Sequence, residues 1–91
     1  MKRAVKLIIS GTVQGVFYRK FVKDKADDLN LNGFVRNIEN GKVEAVLEGD
    51  SEKIKEMIEE CKKGPKFSTV TSVEVKEERF QGLRGFYILH F

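Results

Sequence analysis

The chain has one cysteine, one histidine, one proline and no tryptophan in 91 residues. A lone cysteine, Cys61, excludes an intramolecular disulfide and a thiolate metal cage. A lone histidine, His90, cannot build a His-rich metal centre, and no carboxylates stand at metal-ligand spacing, so neither a metal nor a cofactor is expected. No apolar run approaches the roughly 20 residues of a membrane span. The opening MKRAVKLIIS sets basic residues before apolar ones, but Lys6 interrupts a run already too short for a secretory signal. A cytoplasmic chain with no membrane partner is therefore expected. Linkers, low-complexity tracts and short repeats are also missing, and the length suits a single domain over residues 1–91.

What is present is charge and pattern. Hydrophobic residues make up 41% and charged residues 34%, which places the chain among globular proteins with a heavily charged surface. The net charge of +3 suits an anionic ligand or nucleic acid and is too small to choose between them.

Val5, Leu7 and Ile9 alternate as one face of a strand. Between Arg19 and Leu29, the spacing of Val22, Ala26 and Leu29 predicts a helix with one buried stripe, and NLNG ends it with Gly33 as the exit. Residues 34–48 predict a hairpin, because Asn40-Gly41 supplies the two positive φ values of a type I′ turn. In that register Glu39 faces Lys42, Ile38 faces Val43, and Asn37 faces Glu44, away from the Phe34, Ile38, Val43 and Leu47 face. Asp50 or Ser51 caps a second helix with Ile54, Met57, Ile58 and Cys61 as its stripe, and KKGP closes it. Val73 and Val75 mark a strand over residues 70–77, and GFYILHF a last one. The order βαββαβ plus a short C-terminal strand predicts an α+β fold, the ferredoxin-like α/β sandwich: an antiparallel sheet with two helices on one face.

The stretch GTVQGVFYRK, residues 11–20, joins the first strand to the first helix without a good N-cap residue. Successive amides around Gly15 to Tyr18, followed by a helix N-terminus, form a concavity of partial positive charge. Arg19 adds a planar fork of donors suited to a phosphate. The alternative is a glycine turn with a solvated arginine, and local features leave both open. No GxxxxGK[ST] or GxGxxG is present, so nucleotide binding finds no support. Asn37 is the other polar oddity, since asparagine is disfavoured in strands. Cys61 reads as core, His90 as structural, and Glu56, Glu59, Glu60, Glu77 and Glu78 as solvated faces. RGFYILHF partly matches an RNA-binding signature, but it departs at Tyr87 and Ile88 and lies on the last strand instead of the third.

GTVQGVFYR resembles the signature loop of the acylphosphatase family, and GFVRNIENGKVE, Gly33 to Glu44, resembles that family's second block. The blocks come in the right order and separation, and the resemblance spans the chain. Tyr18 stands where Phe is commoner, and Asn40-Gly41 where Asp-Gly is. The resemblance implies a ferredoxin-like fold and an enzyme that hydrolyses a small-molecule acyl phosphate to a carboxylate and inorganic phosphate. It also implies that the amides of Gly15, Val16, Phe17 and Tyr18, with Arg19, hold the phosphoryl group while Asn37 orients the attacking water. A carboxylate leaves as a weak base, of pKa about 4, so no general acid is required. This reconciles the scarcity of catalytic side chains with catalysis. A monomer without nucleic-acid partners is expected. The rival reading is a non-enzymatic ferredoxin-like module that binds a small anion or RNA.

Overall fold

Val5, Leu7 and Ile9 do share one face of the first strand, and all three are fully buried. The structure is a computed structural model that describes residues 1–90. Its elements are β1 (Lys2–Thr12), α1 (Tyr18–Asp28), β2 (Asn32–Asn37), β3 (Val43–Asp50), α2 (Ser51–Lys63), β4 (Thr69–Glu77) and β5 (Phe86–Leu89). Phe91, the last residue of the expected final strand, lies outside the described residues. The sheet order is β4-β1-β3-β2-β5. β1 runs antiparallel to β3 and β4, and β3 antiparallel to β2. The alternate residues of β1, β2 and β3 form one buried cluster with Val22 and Ala26 of α1 and Ile54, Met57 and Cys61 of α2. Each buried Val, Leu, Ile or Met side chain in it stabilises the fold by about 1.5–3 kcal/mol relative to exposure. The ferredoxin-like sandwich follows from that single apolar layer.

Three expectations need correction. Gly33 is not the exit of α1. Asn30 is, at φ 56°, with Leu31 N–H on the Ala26 carbonyl and Asn30 N–H on that of Asp27. This is the Schellman arrangement with asparagine in the left-handed position. Gly33 lies inside β2, where a Cβ would run into the Val46 carbonyl of β3.

The hairpin register is also shifted by one. Asn40 and Gly41 take positive φ values of 63° and 74°, as the turn chemistry requires. However, Ile38 N–H bonds the Lys42 carbonyl, so Glu39 is an extra residue on the β2 side. Asn37 therefore faces Val43, and Arg36 faces Glu44. Because strand side chains alternate, one extra residue moves Asn37 to the face that carries Val35 and Ala45.

Finally, the sheet is mixed. β5 pairs parallel with β2, from Gly33 opposite Phe86 to Arg36 opposite Leu89. Residues 78–85 carry the chain from one edge of the sheet to the other. The buried carboxylate of Glu48 fastens this strap by accepting from the N–H groups of Gln81 (2.7 Å) and Leu83 (2.8 Å). Asn32 accepts from Gly85 N–H at 2.9 Å. The strap leaves β4 at the end of the sheet where β2 begins, so β5 must run alongside β2. The C-terminal ends of β1, β2 and β5 consequently meet at one end of the sheet, beside the N-terminus of α1.

Candidate active site

β1 ends in a bulge between Ser10 and Gly11, where Gly11 lies against the Thr69 backbone with no room for a Cβ. Val13 is buried and anchors the loop that follows. Gln14 ties it sideways: its Nε2 donates to the carbonyls of Ile38 (3.0 Å) and Lys42 (2.8 Å) in the β2–β3 turn. Gly15 turns the chain at φ 74°, and a Cβ there would meet nothing, so its conformation is what calls for glycine. Phe17 is the N-cap of α1 at φ 61°, with no side-chain cap. A non-glycine residue in this region costs about 1–2 kcal/mol. Among the described residues, the amides of Gly15, Val16, Phe17 and Tyr18 donate to no backbone carbonyl. α1 has no acidic residue in its first turn, so these donors and the positive end of the helix dipole are uncompensated.

Arg19 leaves α1 toward β5. Its Nη1 donates to the Leu89 carbonyl at 3.3 Å and lies 3.3 Å from His90 Nδ1. Both contacts fall on one nitrogen, which fixes the plane of the guanidinium. Arg19, Asn37, Leu89 and His90 line a cavity of about 220 Å³. The Oδ1 of Asn37 is buried without a hydrogen-bond partner among the described residues. An orphaned buried acceptor costs about 1–3 kcal/mol, so its retention calls for an explanation. A second cavity, of about 290 Å³, shares Arg19 and His90 and is walled by Val13, Gly15, Phe17 and Ile88. Its size lies at the lower end of small-molecule sites. The described residues contain no group of three or more His, Cys, Asp or Glu that could hold a metal ion.

The sequence model of the acylphosphatase family matches residues 5–88. The chain belongs to that family. An acylphosphatase of Syntrophobacter fumaroxidans is 48% identical over 81 residues, covering 89% of this chain and 84% of that protein. One of Haloarcula marismortui is 43% identical over 82 residues, covering 90% of each. The crystal structure of acylphosphatase from Bacillus subtilis superposes with a TM-score of 0.93 at 38% identity, covering 98% of this chain and 99% of that one.

Within this acylphosphatase fold, Gly15 to Tyr18, Arg19 and Asn37 lie at one end of the sheet. Two neighbours escaped the sequence reading. His90, which reads as structural, lies against Arg19, and its lack of an acidic partner hid this contact with a cation. Gln14 links the two signature blocks, and a long amide side chain inside a glycine-rich loop was the available signal. Cys61 is core, as its stripe position predicts. Burial pushes its thiol up to about 12, so it stays protonated and unreactive near neutral pH.

Tyr18 shows what a hydroxyl adds where phenylalanine is commoner. It is buried and donates to the Cys61 carbonyl at 2.7 Å, satisfying a carbonyl in the last turn of α2. Burial, with Cys61 as the next cause, raises its hydroxyl well above the ordinary phenolic range. Tyr18→Phe would orphan that carbonyl at a cost of about 1–2 kcal/mol. At roughly 4–8 °C per kcal/mol for a domain of this size, scanning calorimetry should show a lower midpoint. An unchanged midpoint would mean that the carbonyl is satisfied in another way.

Proposed function

We propose that this acylphosphatase-family chain hydrolyses acyl phosphates by positioning alone, with the Gly15–Tyr18 amides and Arg19 holding the phosphoryl group and Asn37 aiming the water. The uncompensated amides and the guanidinium supply donors to the equatorial oxygens, whose charge must be stabilised as the phosphoryl group transfers. The leaving carboxylate departs without a proton. The observation that carries the assignment is the orphaned Asn37 Oδ1 beside the cavity it shares with Arg19. An acceptor there can take a hydrogen bond from a water and turn that water's lone pair toward phosphorus. In the substrate complex the attacking water would be the partner of that acceptor.

The same reading makes the chain a monomeric, cytoplasmic enzyme, one domain over residues 1–91, that uses no metal or other cofactor. No helix of the described residues is long and apolar enough to cross a membrane. Nucleic acid is no partner in this reading.

The test is turnover of benzoyl phosphate with and without excess EDTA, and with inorganic phosphate added. The rate should be unchanged by the chelator, and phosphate should compete with substrate whatever the acyl group. Loss of activity on chelation, restored by Mg²⁺ or Zn²⁺, would contradict the mechanism. Absence of turnover would leave the loop as an anion sensor.

A further inference from the structure

Phe17 is an anomaly that phosphoryl binding does not explain. Its amide serves the cradle, but any residue has an amide, and at φ 61° glycine would be relaxed. Its ring is 82% exposed, so the fold gains little from burying it. A bulky apolar side chain held in a left-handed conformation, out in water, at the rim of a site is the kind of local strain that accompanies function. Ile88 of β5, half-buried against the core, and the buried Val13 line the same cavity. Three apolar side chains from the end of β1, the loop and β5 thus surround a space adjoining the Arg19 fork.

We propose that Phe17 and Ile88 form the acyl subsite and select acyl phosphates whose acyl group is uncharged and apolar, aromatic or branched. This rests on the hydrolysis proposed above. The apolar lining from Val13, Phe17 and Ile88 favours this choice, and the charge at the rim is partly paired. Lys20, which also lines the cavity, is paired with Asp24 at 2.9 Å, and Lys23 with Asp27 at 2.8 Å. Arg19 is committed to the phosphoryl group. At the cavity the charge of Lys20 is partly offset by the carboxylate of Asp24, whereas the exposed ring of Phe17 is free to cover an apolar acyl group. The acyl group would dock between ring and isoleucine, removing both from water as the substrate binds.

The experiment compares kcat/KM for benzoyl phosphate and acetyl phosphate in the wild-type chain, Phe17→Gly, Phe17→Asn and Ile88→Ala. Glycine and asparagine both accept the left-handed φ, so these loop variants should fold, and the asparagine variant separates loss of the ring from added flexibility. The wild type should favour benzoyl phosphate, and the benzoyl-to-acetyl ratio should fall by about 10-fold or more in all three variants. Intrinsic differences in leaving ability cancel when that ratio is compared between variants. A ratio unmoved by the substitutions, with both substrates still hydrolysed or both slowed in parallel, would overturn the subsite while leaving the hydrolysis intact. Failure of the wild type to hydrolyse either substrate would overturn the reaction itself and the subsite with it.

Discussion

Arg19→Gln is expected to lower kcat/KM for benzoyl phosphate by about 10³-fold or more and to abolish measurable phosphate binding. The magnitude follows from removing a charged donor pair that faces the transferring group in both the ground and transition states. Glutamine can still donate from its amide, but it brings no charge. Arg19→Lys should rescue little. The two contacts on Nη1, to the Leu89 carbonyl and His90, hold a planar group in one orientation, and an ammonium has no plane to hold. Steady-state kinetics and phosphate titration by calorimetry check both variants. Recovery of more than a tenth of wild-type activity by lysine would show that Arg19 acts as a point charge, not as a fork.

Asn37→Ala should separate binding from turnover. Removing the group that aims the water should reduce kcat by about 10²-fold or more, while phosphate affinity stays within a few-fold of wild type. The fold should not suffer. Asn37 Oδ1 has no partner among the described residues, so truncation removes an unsatisfied acceptor and breaks no hydrogen bond of that atom. The thermal midpoint is therefore expected to be no lower than that of the wild type, an unusual result for a substitution in a strand. Single-turnover rates alongside phosphate titration test the split, with circular dichroism confirming the fold of each variant. Full turnover, or loss of phosphate binding as severe as in Arg19→Gln, would remove Asn37 from the role of aiming water.

Much of this molecule was legible in one dimension because local periodicity reports burial. Val5, Leu7 and Ile9 alternate, and Ile54, Met57, Ile58 and Cys61 recur at helical spacing; all seven are buried as their spacing requires. Asp50 caps α2 by accepting from Glu52 N–H at 3.1 Å, and Asn40-Gly41 adopts the positive φ values that its composition demands. The two signature blocks were legible as well, since loop chemistry is written in residue type.

Long-range geometry decided the rest. The side on which Asn37 lies depends on whether Glu39 counts as turn or strand, and the Ile38–Lys42 pairing settles it; no local propensity distinguishes the two registers. The tail GFYILHF marks a strand, but the antiparallel direction expected for it is overturned by the strap over residues 78–85, which starts β5 beside Gly33 and so runs it parallel to β2. That direction brings Leu89 and His90 to Arg19, 70 and 71 residues away in sequence. The sequence by itself determined which segments bury an apolar face and which loop is rich in donors, because both depend on neighbours along the chain. Only the tertiary structure decided which side chains converge on that loop, because a one-residue bulge or the direction of one edge strand moves a side chain across the sheet at almost no local cost.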